Sequence, residues 1–224
     1  MPEKKSGKLI VIEGADGAGK ATQATMLINR LRAEEVEVET LEFPRYEETF
    51  FGSYIREWVD EVHGNFIDLD PKLAAILFAG DRFESKETIE GWLADGKNVI
   101  LDRYVSANML HQGAKLEDVG ERGSFLLWLS RLEFEVFKMP KPDAVIYLDM
   151  PFELRHALLT TDEKKPNLGH TETDEEYQLA VQKCAEQVAA LEKWRIVSCL
   201  MDDKLRSKDN INTELYGIIK PLLN

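Results

Sequence analysis

Lys8-Leu-Ile-Val-Ile-Glu13 is a short, nearly continuous apolar run that stops at a glycine-rich turn, the pattern of a strand buried on both faces. Ala24, Leu27, Ile28 and Leu31 then recur at i, i+3, i+4 and i+7, which predicts an amphipathic helix directly after that turn. Val36 to Leu41 reads as a second strand, broken by Phe43-Pro44-Arg45. After a loop, Pro71 to Trp92 is helical in pattern, with Leu73, Ile76, Leu77 and Gly80 on one face and Gly96 closing it. Asn98 to Asp102 is a third strand. Ser124 to Met139 is a long amphipathic helix stopped by Pro140 and Pro142, and Ala144 to Leu148 is a fourth strand. Glu172 to Trp194 follows as a helix and Arg195 to Leu200 as a fifth strand. A last helix opens near Asn210, with Ile211, Leu215, Ile218, Ile219 and Leu222 along one stripe.

Strands alternating with helices at this spacing predict an α/β fold, a doubly wound parallel sheet flanked by helices. Neither a repeat nor a linker interrupts the pattern, so residues 1–224 are expected to form a single domain. One stretch lacks core material: Thr160 to Glu176 holds Leu168 as its only large aliphatic residue, with Pro166 and Gly169 inside. Such a segment cannot bury itself and is expected to be a mobile lid.

Charge narrows the partners. The chain of 224 residues carries 28 Lys+Arg against 41 Asp+Glu, a formal net charge of −13. Affinity for nucleic acid comes from clustered cations that neutralise phosphates, so an acidic surface argues against nucleic acid and against anionic membrane. The apolar run Leu9 to Ile12 is far too short to span a bilayer, and Cys184 and Cys199 form neither a disulfide framework nor a zinc site. A cytoplasmic protein is expected. A small phosphorylated ligand remains compatible with the charge, given a local set of cations and backbone N–H groups.

That set is visible between the first strand and the first helix. Gly14-Ala15-Asp16-Gly17-Ala18-Gly19-Lys20 has the spacing of a phosphate-binding loop. Its glycines let backbone N–H groups face a phosphate, the helix N-terminus adds its dipole, and Lys20 adds a full charge. With Ala21 and Thr22, these residues are the candidates for holding the phosphates of a nucleotide. Ala21 stands where the pattern has a Ser or Thr hydroxyl for Mg²⁺, and Thr22 is turned by about 100° on a helix, so it is no direct substitute. The metal must rely on carboxylates and water, with Asp16 and Asp102 as candidates. Arg45, Arg82 and Arg103 fall at strand ends or on a helix, and their planar forks could converge on a second anion.

Together, Gly14 to Gln23, Phe43-Pro-Arg45, Leu77-Phe-Ala-Gly-Asp-Arg82, Asp102-Arg-Tyr-Val-Ser-Ala-Asn108 with Gln112-Gly113, and Pro140 to Asp149 resemble the thymidylate kinase family. The motifs follow the family's order over roughly residues 8–150 and thin beyond it. The resemblance implies a P-loop kinase fold and transfer of the γ-phosphoryl of ATP to dTMP with Mg²⁺. It also implies roles. Asp16 would contact the acceptor sugar and help organise the metal region, Arg45 and Arg103 would grip the acceptor phosphate, and Phe78 would stack on thymine. Arg82, Asn108 and Gln112 would hydrogen-bond the base edge, with Tyr104 beneath the deoxyribose.

An acceptor phosphate is already ionised at neutral pH, so no general base is required, which suits four histidines, His63, His111, His156 and His170, that form no spaced cluster. The family also places a clamp arginine in the P-loop or the lid, and this chain has neither. Lys164 and Lys165 are the expected lid cations, with Arg155 on the helix leading in. Two other readings stay open from the residues. One is a related nucleotide or deoxynucleoside kinase, with Glu13 or Asp102 as base. The other is a weakened nucleotide-binding protein without the clamp. Ser124 to Met139 carries more apolar surface than one stripe needs, which suggests a homodimer face.

Overall fold

The computed structural model describes residues 6–161 and 169–223. In chain order the first half is β1 (Leu9–Glu13), α1 (Lys20–Ala33), β2 (Val38–Glu42), α2 (Phe50–Val59), α3 (Pro71–Glu84), α4 (Lys86–Ala94), β3 (Asn98–Asp102), α5 (Val105–His111) and α6 (Val119–Ser130). A π-helical stretch, Arg131–Val136, extends α6. The second half is β4 (Ala144–Asp149), α7 (Phe152–Thr161), α8 (His170–Thr173), α9 (Glu175–Leu191), β5 (Arg195–Ser198), the hairpin β6 (Leu200–Met201) and β7 (Lys204–Leu205), and α10 (Lys208–Ile219). Among the described residues, no helix is long and apolar enough to cross a membrane.

Five strands pair in the order β2-β3-β1-β4-β5, every neighbour parallel. β1 is central and buried along its whole length, which is why its sequence does not alternate. Successive side chains of a strand point to opposite faces. Leu9 and Val11 accordingly join one core with Val99, Leu101 and Tyr147, while Ile10 and Ile12 join the other with Ile100, Ile146 and Leu148. The first core is covered by residues of α3 to α6 and α9, the second by α1 and α10. In parallel register the carboxyl ends of the strands share one edge, where Glu13, Glu42, Asp102 and Asp149 stand.

Three helical expectations need correction. The loop before Pro71 contains α2, started by Thr49, whose hydroxyl accepts from Gly52 N–H at 2.9 Å. α2 packs on α3 because Gly80 admits the Phe51 ring: a Cβ there would stand 2.6 Å from it. The helix expected from Pro71 to Trp92 is two, parted at Ser85, which has φ −96 and ψ 0. The helix expected from Ser124 begins at Val119, since the Asp118 carboxylate caps Glu121 N–H at 2.8 Å. Its last part widens into the π-turns that carry the fully buried Glu133.

Candidate active site

β1 ends in Glu13, and the chain must turn sharply to enter α1 on the second core. Gly17 and Gly19 take φ values of 82° and 87°, left-handed backbone that favours glycine. Gly17 is also crowded, because a Cβ there would lie 2.9 Å from the Arg155 carbonyl oxygen. Lys20 folds back over the loop and donates to the carbonyls of Gly14 at 2.8 Å and Ala15 at 3.1 Å. Burial pushes its ammonium below the ordinary lysine value, with Arg103 adding to the shift and Asp16, Asp102 and Glu13 opposing it. Ala21 and Thr22 are both exposed at the start of α1, and Gly14, Ala15 and Ala18 are buried in the loop.

Glu13 accepts from Gly14 N–H at 2.9 Å and from the Ser106 hydroxyl at 2.7 Å. Burial raises its carboxyl above the ordinary value, against the fields of Arg103 and Lys20. Both its oxygens are thus held in the scaffold. Asp102 differs: its Oδ1 is buried and, among the described residues, has no hydrogen-bond partner.

Arg103 follows Asp102 with φ 65°, a left-handed conformation that costs a non-glycine residue about 1–2 kcal/mol. Its backbone N–H donates to Ile12 O at 3.1 Å, and its guanidinium pairs with the Asp16 carboxylate and donates to His111 Nε2 at 3.1 Å. Burial alone would raise the Asp16 carboxyl, but Arg103 and Lys20 hold it well below the usual carboxylate range. Gln178 on α9 donates to the other Asp16 oxygen at 3.3 Å and to Thr171 O at 2.7 Å. From α7, the buried Arg155 donates to the Asp16 carbonyl at 3.0 Å, to Gln178 Oε1 at 2.8 Å and to Met150 O at 2.9 Å. Arg155 therefore fixes the loop from beneath.

An open cleft of about 1240 Å³ runs from the P-loop over the carboxyl edge of the sheet. All eight residues expected at the acceptor, Asp16, Arg45, Phe78, Arg82, Arg103, Tyr104, Asn108 and Gln112, reach its wall. Phe78 is half-buried, edge-on to Phe66 with ring centroids 5.6 Å apart. The Arg45 guanidinium donates to Ser85 Oγ at 3.0 Å. Arg82 is buried in an ion pair with Glu133 and donates to Tyr104 O at 3.3 Å. Asn108 gives its amide N–H to Ala75 O at 3.0 Å, whereas Gln112 Oε1 is buried without a partner among the described residues. Tyr104 is fully buried, its hydroxyl donating to Pro140 O at 3.0 Å. Lys164 and Lys165 lie outside the described residues.

Sequence reasoning missed His111, Tyr177, Gln178 and the placement of Arg155. Tyr177 and Gln178 open α9, 66 residues from His111 and 162 from Asp16 respectively. No local spacing could link them.

Comparison with known proteins agrees with this geometry. The family model for thymidylate kinase matches residues 12–207. A thymidylate kinase of Mycobacterium tuberculosis is 38% identical over 148 residues, covering 65% of this chain and 67% of that protein. One from Dictyostelium discoideum is 26% identical over 216 residues, or 96% of this chain and 85% of the other. A solved structure of thymidylate kinase from Candida albicans superposes with a TM-score of 0.73 at 25% identity, covering 97% of this chain and 92% of that one.

Proposed function

The chain belongs to the thymidylate kinase family, and on that premise we propose that it moves the γ-phosphoryl group of ATP to dTMP, giving dTDP and ADP. The observation that carries the reading is the single cleft, beginning at the P-loop, in which all eight acceptor-site residues meet. A phosphate oxygen of dTMP bonds to the γ-phosphorus while the bond to the β–γ bridging oxygen breaks, and ADP keeps that electron pair. Little covalent work falls to the protein, so positioning and charge stabilisation dominate.

Residues 14–22, with Lys20 at their centre, hold the ATP phosphates. Arg45 and Arg103 grip the acceptor phosphate, and Asp16 orients Arg103 and meets the sugar. Phe78 stacks on the base, Arg82, Asn108 and Gln112 read its edge, and Tyr104 floors the deoxyribose. Gln112 suits a base N–H because its Oε1 is buried and unpartnered among the described residues. Lys164 and Lys165 supply cations to the transferring group.

Mg²⁺ is part of this reading. The described residues hold no group of three or more His, Cys, Asp or Glu that could bind a metal, which suits an ion held mainly by phosphates and water with one or two carboxylates. The unpartnered Asp102 Oδ1 fits that place, with Asp16 as the second carboxylate. When bound, the ion neutralises charge between the β- and γ-phosphates.

Glu13 is unavailable as the base of a nucleoside kinase because both its oxygens are engaged. Homodimerisation is supported by α3 and α6, where Leu73, Ile76 and Leu127 stay exposed. A cytoplasmic setting is supported by two buried free thiols, Cys184 and Cys199. The test is a coupled assay with dTMP, dUMP, dCMP and thymidine as acceptors, with and without Mg²⁺. The panel is broad because the Candida albicans relative has broad substrate specificity. Turnover highest with dTMP is expected, and faster turnover of thymidine would overturn the assignment.

A further inference from the structure

His111 lies at the end of α5, half-buried on the cleft wall. No metal cluster among the described residues includes it and the phosphoryl transfer needs no base from it, yet each of its ring nitrogens has one defined partner. Nε2 faces Arg103 Nη1 at 3.1 Å. A guanidinium can only donate, so Nε2 must be the acceptor, and the proton of the neutral ring then sits on Nδ1. Nδ1 faces the Tyr177 hydroxyl at 3.2 Å. That hydroxyl donates its own proton to His111 O, also at 3.2 Å, which leaves an oxygen lone pair to accept Nδ1–H. Each link in the chain Tyr177, His111, Arg103, Asp16 thus joins one donor to one acceptor, and reversing the Tyr177–Nδ1 link would move the ring proton to Nε2 and set two N–H groups against each other.

We propose that His111, with its proton on Nδ1, is a positioning residue that orients the Arg103 guanidinium for the acceptor phosphate, and that Tyr177 selects this tautomer. The proposal rests on the reading that Arg103 grips that phosphate. Imidazole is short and rigid, and its acceptor holds one edge of the guanidinium while Asp16 holds another, so the remaining donors keep a fixed direction. Burial supports the neutral ring by pushing His111 down to about 3, with Arg103, Lys20 and Arg155 acting in the same direction and Asp16 against it. Since α9 supplies Tyr177, the link also ties that helix to the acceptor grip.

The first test uses the intact wild-type protein. A long-range ¹H–¹⁵N correlation spectrum should show His111 with Nδ1 protonated and Nε2 bare at pH 7, and an Nε2–H tautomer would overturn the proposal. The second is kinetic. His111→Leu should raise KM for dTMP about tenfold or more with KM for ATP within about twofold. His111→Gln, whose carbonyl oxygen can still accept from Arg103, should return to within about threefold of wild type. Tyr177→Phe should fall between them. In an Arg103→Met background, adding His111→Leu should change KM for dTMP by less than about twofold. Equal effects of Leu and Gln, or a full His111 effect without Arg103, refute the positioning role. If Arg103→Met alone leaves KM for dTMP unchanged, the acceptor-site reading itself falls and takes the proposal with it, even where the spectrum shows the expected tautomer. Should His111→Leu fail to fold, the spectrum and the Tyr177→Phe and His111→Gln pair decide.

Discussion

Removing Glu133 tests whether Arg82 is held for the cleft or merely stored in the core. The two side chains are 0% and 2% exposed, and Nε and Nη2 of Arg82 both point at the Glu133 carboxylate. Glu133→Leu leaves a buried guanidinium with, among the described residues, only the Tyr104 carbonyl at 3.3 Å. Breaking a buried pair from one side costs about 3–5 kcal/mol, which in a chain of this size lowers Tm by about 6–20 °C. Glu133→Gln keeps one acceptor and should lose less, about 1.5–3 kcal/mol, as for a hydrogen bond to a charged group. The Arg82→Met, Glu133→Leu double variant removes both charges and should regain most of the stability, because apolar replacement of a buried pair is often neutral. It should not regain dTMP binding. Thermal melts and urea titrations give the stabilities, and KM for dTMP gives the function. If Glu133→Leu melts within about 2 °C of wild type, the pair is not what holds Arg82. If the double variant binds dTMP normally, Arg82 does not read the base.

Other consequences follow from the same geometry. Replacing both Lys164 and Lys165 with Gln should lower kcat strongly while leaving KM for dTMP nearly unchanged, and an unaltered kcat would remove these lysines from the transfer step. Asp102→Asn should raise the Mg²⁺ concentration for half-maximal rate by about tenfold with thermal stability little changed, and an unaltered Mg²⁺ titration would place the ion elsewhere. Lys115 donates to Phe66 O and Leu69 O at 2.8 and 3.1 Å. Burial pushes it from 10.5 down to about 8, against Asp68 and Asp70. Between those values the unfolded chain binds more protons than the folded one, so this group makes stability rise with pH across the window and contributes its full penalty below it. Lys115→Met should flatten the rise in urea midpoint from about pH 8 to 10.5, and an unchanged slope would show that the ammonium is not desolvated.

The alternation of strands and helices was legible because each strand of the sheet centre is a continuous apolar run, and because Gly14 to Lys20 marks one turn unambiguously. The eight residues that line the cleft together were legible as a set, through motifs that carry their own order. What escaped was structure decided by tertiary contact. Phe50 to Val59 has too few periodic positions to announce α2, whose place depends on Gly80 opposite Phe51. The break at Ser85 lies inside an unbroken helical pattern, and its buried hydroxyl is held by Arg45 from another element. His111 was passed over because a lone histidine without metal-ligand spacing carries no sequence signal. Its partners, Arg103 and Tyr177, converge on it only when α5 and α9 pack.

On the reading that Arg103 grips the acceptor phosphate, its pairing with Asp16 sets how tightly that anion can be held. A bare guanidinium would offer its whole charge when a phosphate arrived, whereas here the newcomer meets a cation whose charge is partly offset by a carboxylate that stays in place. Such a site works by sharing one guanidinium between two anions. Departure is eased in the same measure, since the guanidinium keeps Asp16 throughout and no unpaired cation is left when the product phosphate leaves. While empty, the pair is internally neutral, so chloride and inorganic phosphate find little there to attract them, and a chain of net charge −13 keeps its anion site in reserve for a ligand that also fits the cleft.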